Sequence, residues 1–232
     1  MQTKRTRALA AAAKFSKPDA GHQYRVFFVD GSSITKPNDN SESSVPGDAS
    51  VTHLGAAVVY KPREGSQNWQ VRYFAILNRR GSTLAEQAAI ADGLDIATRE
   101  AMLVRGQNCI GPKGAAAKVI VFTDSVSALQ RIQKIQKSAV TEAQLLGDPI
   151  IHKLITRSQY LRRIGVQLEL RWVPGHSKVE GNALADTEAR YAAKNQDIGV
   201  LLGEELRLLD SEVIPNDVNE HDPQNNTRRG KS

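Results

Sequence analysis

The sequence predicts an α/β domain built on a mixed sheet, and three observations predict it. Three strand-like runs come first, joined only by turn and loop signals, which implies antiparallel pairing. Two later strand-like runs are reached through helical patterns, which implies parallel pairing by crossovers. The chain has 232 residues, 40% of them apolar and 24% charged, ordinary values for a globular protein. That length suits one domain of about 150 residues with tails, or two small domains.

Each element has its own signal. Tyr24–Asp30 (YRVFFVD) reads as a strand, and residues 35–50, rich in Ser, Asn, Asp, Pro and Gly, as a loop. His53–Lys61 and Trp69–Leu77 read as two more strands around the turn Pro62-Arg63-Glu64-Gly65. Thr83–Met102 reads as a helix whose apolar and small residues run almost all round, so burial is expected. A Gly/Ala loop at 106–117 leads to Lys118–Thr123 (KVIVFT), a short apolar run typical of a central strand. Ser125–Lys137 is helical. Ile150–Ile164 is an amphipathic helix with Ile151, Leu154, Ile155, Ser158 and Leu161 on one face. Lys153, Arg157, Arg162 and Arg163 lie off that face, and Gly165 is placed to end the helix. Val166–Val173 alternates as a strand does, Pro174-Gly175 breaks it, and a last helix runs from Val179 to Lys194.

Charge is unevenly spread. Residues 1–25 carry six Lys/Arg against Asp19, a net +5; residues 26–196 carry 21 basic against 16 acidic, again +5; residues 197–232 carry four basic against eight acidic, a net −4. A basic middle suits a polyanion such as nucleic acid, although it also serves solubility. Residues 1–23 read as a basic disordered arm, and 196–232 as a partly disordered extension with an apolar, helix-like stretch at Leu201–Leu209. No apolar run reaches the ~18 residues of a membrane span. One cysteine, Cys109, excludes an internal disulfide and a multi-thiolate zinc site. A reducing, intracellular compartment is expected (nucleus, cytoplasm or mitochondrion), and a monomer.

Four acids stand where strands end or helices pack. Asp30 closes the first strand, Glu86 lies on the buried helix, Asp124 closes KVIVFT, and Asp186 lies in the last helix. Parallel pairing of the first and central strands would put Asp30 and Asp124 at one end of the sheet, where α/β folds bind ligands. Each acid has a plainer explanation. An Asp after a strand can be a turn residue. Glu86 can form a capping box with Thr83, and Asp186 can pair with Arg190 one turn on. As a set they differ, because gathered carboxylates repel one another unless a cation neutralises them. Four oxygen donors without cysteine suit hard ions such as Mg²⁺ or Mn²⁺. Two such ions can clamp an in-line displacement at phosphorus. Gly31, lacking a side chain, allows backbone to approach Asp30 closely. His176, in a glycine-containing turn, can carry protons near neutral pH.

These residues lie in segments that resemble type 1 ribonuclease H. The segments are Phe28-Val29-Asp30-Gly31-Ser32, Leu84-Ala85-Glu86-Gln87-Ala88-Ala89, Phe122-Thr123-Asp124-Ser125, and Trp172-Val173-Pro174-Gly175-His176-Ser177 through Gly181-Asn182 to Ala185-Asp186. They occur in that family's order, over roughly residues 24–195, and the ten-residue step from His176 to Asp186 matches too. The last segment is similar to the versions in eukaryotic retroelement polyproteins. The resemblance implies a five-stranded mixed sheet flanked by helices. It implies two Mg²⁺ or Mn²⁺ ions held by Asp30, Glu86, Asp124 and Asp186, with His176 aiding proton transfer or product release. The implied reaction is endonucleolytic hydrolysis of the RNA strand of an RNA/DNA hybrid.

The chain departs from the family pattern in three places. Ile34-Thr35-Lys36-Pro37-Asn38 opens a longer loop where an Asn-Pro-Gly turn is common. Gly81 and Ser82 stand where polar Thr/Asn residues that touch substrate are often found. Only one helix, Ile150–Ile164, is expected between the Ser125 helix and the Val166 strand, without the basic handle helix of some members, so affinity is expected to lean on Arg79, Arg80, other scattered basic residues or the N-terminal arm. Two other functions compete. A catalytically idle nucleic-acid-binding module would bind hybrid with a steep salt slope and no cleavage. An exonuclease would be expected to carry Asp-x-Glu at the first strand, where this chain has Asp30-Gly31-Ser32.

Overall fold

The computed structural model describes residues 4–16, 24–37, 50–61, 68–76, 81–107, 118–138 and 147–196. In chain order these form α1 (Lys4–Ser16), β1 (Tyr24–Pro37), β2 (Ser50–Tyr60), β3 (Gln70–Ile76), α2 (Gly81–Gln107), β4 (Lys118–Thr123), α3 (Val126–Lys137), α4 (Pro149–Arg163), β5 (Gln167–Trp172) and α5 (Glu180–Lys194). The strands make one five-stranded sheet in the order β3-β2-β1-β4-β5. β1, β2 and β3 pair antiparallel, and β4 joins β1 and β5 in parallel. The expected mixed α/β sheet is therefore the observed one.

Alternation of side chains across the strands divides the core in two. Phe27, Val29, Val58, Val119 and Val121 face α2, α3 and α4. Phe28, Val59, Ile120 and Phe122 face the other way, in a cluster with Ala185 of α5 and Ala12 of α1. α5 sits so close to β2 that a Cβ on Gly55 would lie 2.3 Å from the Ala189 carbonyl oxygen and the Ala193 nitrogen. Gly181 likewise lets the start of α5 rest on the Phe28 ring.

Several boundaries differ from the sequence reading. β1 does not stop at Asp30; it runs on to Pro37, because Gly31–Pro37 pair with Ser50–Ala56 of β2. Residues 34–37, expected in the loop, are thus strand. The helix expected at Thr83 begins at Gly81, so Thr83 is its third residue and no capping box forms around it. The disordered-arm expectation fails over Lys4–Ser16, which is a 13-residue helix. Alanine is the best helix former, and three side chains on one face anchor this helix. Leu9 packs at the second cluster, Ala12 is fully buried, and the Phe15 ring lies 5.7 Å from Tyr24 and 6.1 Å from Phe122. Arg79, Arg80, Cys109, the 62–65 turn, residues 139–146 and the 201–209 stretch lie outside the described residues, so the expected absence of a handle helix is not tested there.

Candidate metal centre

The site forms where β4 ends beside β1. The last parallel pair is Phe28 with Phe122, so two residues later Asp30 has β2 on one flank and the turn into α3 on the other. Asp124 begins that turn. Ser125 caps α3 by accepting a hydrogen bond from the Ala128 N–H at 3.2 Å. Trp172 of β5 holds the turn from the far side, its indole Nε1–H donating to the Asp124 carbonyl at 3.1 Å. Glu86 arrives on the second turn of α2 because Gly31 lets the helix touch the strand. A Cβ there would lie 2.3 Å from the Glu86 nitrogen and 2.6 Å from the Ala85 carbonyl carbon.

One carboxylate oxygen from each of Asp30, Glu86 and Asp124 can be chosen so that all three lie within 4.8 Å of one another. Asp30 and Glu86 are buried. Thr123 donates its hydroxyl to Glu86 Oε2 at 3.4 Å and accepts the Ser125 N–H at 3.2 Å, which ties the glutamate to the turn. Gly175 closes one wall, where a Cβ would lie 2.8 Å from Asp124 Oδ2. Among the described residues no Lys, Arg or His makes an ion pair with any of the three acids.

Charges crowded in this way perturb one another. Burial, followed by the charges of Asp124 and Asp186, pushes the Asp30 carboxyl up to about 8. Burial, followed by Asp30 and Asp124, pushes Glu86 up to about 9. With no ion bound, burial and crowding therefore disfavour the fully charged centre.

The fourth acid stands apart. Asp186 is about a quarter exposed, and its Oδ1 accepts Arg190 Nη2 at 2.8 Å, the i,i+4 pairing its position allows. Its other oxygen lies 4.0 Å from His176 Nδ1. His176 is 79% exposed at the side chain and adopts φ 51°, left-handed backbone that residues other than glycine rarely take. It stands at the mouth of the site, between Gly175 and Ser177.

The sequence model of the RNase H family matches residues 22–194. The chain belongs to the RNase H family. Among curated proteins, none matches the chain. Solved RNase H structures that it resembles include the N-terminal RNase H domain of Rv2228c from Mycobacterium tuberculosis, solved as a fusion with maltose-binding protein. That match has 21% identity and a TM-score of 0.41, covering 75% of this chain and 96% of the other. LC11-RNase H1, isolated from compost by a metagenomic approach, matches at 17% identity and a TM-score of 0.45, covering 75% and 97%. The same protein in complex with an RNA/DNA hybrid matches at 17% and 0.41, covering 74% and 97%.

In this RNase H domain the donor set fits a hard divalent ion. Three oxygens converge at a partly buried point, with burial and mutual repulsion to be relieved and no built-in cation among the described residues. Of the five residues singled out from the sequence, the fold brings Asp30, Glu86 and Asp124 together, keeps Asp186 outside that group though its charge still acts on Asp30, and leaves His176 exposed near Asp186. Sequence reasoning missed two contributors, Thr123 and Gly175. Thr123 carried a usable signal, a hydroxyl ending an otherwise apolar strand. Gly175 read only as a turn residue, and its closeness to Asp124 belongs to the packing. No helix among the described residues is long and apolar enough to cross a membrane.

Proposed function

We propose that this chain is a metal-dependent endonuclease that hydrolyses the RNA strand of RNA/DNA hybrids, leaving 3′-hydroxyl and 5′-phosphate ends. Membership of the RNase H family supports a ribonuclease H activity. The observation that carries the metal-dependent reading is the convergence of Asp30, Glu86 and Asp124 without a counter-cation among the described residues. Asp30, Glu86, Asp124 and Asp186 would hold two Mg²⁺ or Mn²⁺ ions. When bound, such ions supply a water nucleophile at neutral pH and stabilise the departing oxygen.

The chain's own groups do the rest. The acids bring the negative charge that retains cations, and a bound cation would relieve the burial and repulsion that push Asp30 and Glu86 up. Thr123 keeps the Glu86 carboxylate turned toward the β4 end. His176 would pass a proton to the leaving 3′-oxygen or help product depart, a role its exposure and its 4.0 Å approach to Asp186 support. An RNA strand is recognisable by the 2′-hydroxyls that line its wide, shallow minor groove.

The test is cleavage of labelled RNA/DNA hybrid beside duplex RNA and duplex DNA, across Mg²⁺ and Mn²⁺ concentrations. Only the RNA of the hybrid should be cut, on circular as well as linear substrates, with 5′-phosphate products. Asp124→Asn should lose about 10²–10³-fold or more in rate, several kcal/mol of lost metal assistance, while still binding hybrid. Wild-type protein that leaves hybrid intact under all these conditions overturns the proposal. If it still binds the hybrid, the chain is an idle binding module.

A further inference from the structure

The four acids divide three to one, and the dividing element is Arg190. Asp30, Glu86 and Asp124 share a point with no positive partner among the described residues, whereas Asp186 already has one at 2.8 Å. We infer that Arg190 is a positioning residue that occupies Asp186 as an internal counter-ion, so that the free protein presents a ready first ion site and a restrained second one. This rests on the metal-dependent reading above and adds the order in which the site is completed.

The argument is one of competition. A divalent ion gains from a carboxylate only by displacing whatever cation the carboxylate already holds. At the three-acid cluster no side-chain cation has to be displaced, because none among the described residues pairs with Asp30, Glu86 or Asp124. At Asp186 the displaced cation is a guanidinium, permanently charged and tethered one helical turn away on α5. Release of Arg190 is possible because its side chain is half exposed, so it can exchange Asp186 for water or for a polyanion. A nucleic acid phosphate is such a polyanion. Hybrid would thus draw Arg190 off Asp186 and free the fourth ligand, coupling substrate binding to the second ion.

Equilibrium Mn²⁺ binding, followed by the electron paramagnetic resonance signal of free Mn²⁺, tests this without reference to turnover. The full chain should bind a first ion and then a weaker second one. Arg190→Gln should tighten the second ion about two- to fivefold and leave the first unchanged, the range expected when a partly exposed ion pair is removed. Arg190→Lys should behave like wild type. Asp186→Asn, alone or combined with Arg190→Gln, should abolish the second ion, which keeps the result tied to the pair. Equal second-ion affinity in wild type and Arg190→Gln overturns the inference and leaves the metal-dependent reading standing, as does a shift of both ions together. Absence of any Mn²⁺ binding overturns both.

Discussion

Helix α2 contributes to two clusters of acids roughly two turns apart, and the fold treats them in opposite ways. Glu86, near the start of the helix, meets Asp30 and Asp124 and no cation among the described residues. Nine residues on, about 13 Å along the axis, Asp95 is fully buried but doubly paired. Arg157 of α4 donates its Nε to Asp95 Oδ1 at 2.7 Å, and Arg99 donates its own to Oδ2 at 2.9 Å. Asp92 Oδ2 forms an ion pair with Arg72 Nε of β3 at 3.0 Å. Lys153, 3% exposed, stands 3.9 Å from Asp92 and 3.8 Å from Asp95. The second set is closed: charges removed from water are answered inside the protein. The first set is open, and its missing countercharge must come from outside. Burial alone does not mark a binding centre, since both sets are buried. The absence of an internal partner does.

The closed set should be the more sensitive to loss of a partner. Arg157→Met strips Asp95 of its closest buried cation and should cost about 3–5 kcal/mol of stability, the range for an orphaned buried charge. Denaturant unfolding measures it. A loss under about 1 kcal/mol would mean that Lys153 and Arg99 suffice, and that the seam between α2 and α4 tolerates charge imbalance. Replacing both partners, Asp95→Leu with Arg157→Met, should recover much of the loss, because neither charge is then left alone.

The next effect tests how the open set is assembled. Gly31→Ala would drive a Cβ into the backbone of α2 at Glu86. It should destabilise by about 1–3 kcal/mol, as overpacking does, and move Glu86 away from Asp30. Divalent-ion binding should fall further than stability does. A variant that loses stability but binds Mn²⁺ as wild type does would show that the contact is merely structural.

The two sets also differ in how far the sequence reveals them. Asp30 and Asp124 follow apolar runs whose patterns point to neighbouring central strands, and parallel pairing of those runs brings both acids to the same end of the β1–β4 pair. Glu86 was legible as an acid among apolar and small residues on a buried helix. What could not be read was distance. Asp186 lies at the expected place in the chain, yet its separation from the other three depends on how α5 seats over Gly55 and Phe28. The closed set escaped entirely. A helical wheel sends Lys153 and Arg157 to solvent because cations default to water, but both are buried on α4. The overlooked signal was on the other helix, where Asp92 and Asp95 interrupt the same buried face and require partners. α1 escaped for a related reason: the four consecutive alanines Ala10–Ala13 carry little apolar pattern, and the anchoring came from Leu9 and Phe15 on either side of them.

The smallest effect separates the two sets by pH. An acid whose pKa is higher folded than unfolded favours the folded state below its unfolded pKa, and that advantage disappears as pH rises through its folded one. Asp30 and Glu86, held up to about 8 and about 9, should therefore make the ion-free protein steadily less stable from about pH 4 to pH 9. Burial raises Asp92 as well and lowers Lys153, but those groups titrate alike in wild type and in Glu86→Gln. The difference between the two stability curves then isolates the open set. Glu86→Gln, relieved of one crowded charge, should gain about 1–2 kcal/mol by pH 8, since one unit of pKa shift corresponds to about 1.4 kcal/mol. Mg²⁺ should reverse the order: wild type gains stability because the ion replaces the missing protons, and Glu86→Gln gains less. Parallel curves across that range, with or without Mg²⁺, would show that the three carboxylates do not feel one another and would erase the distinction between the two sets.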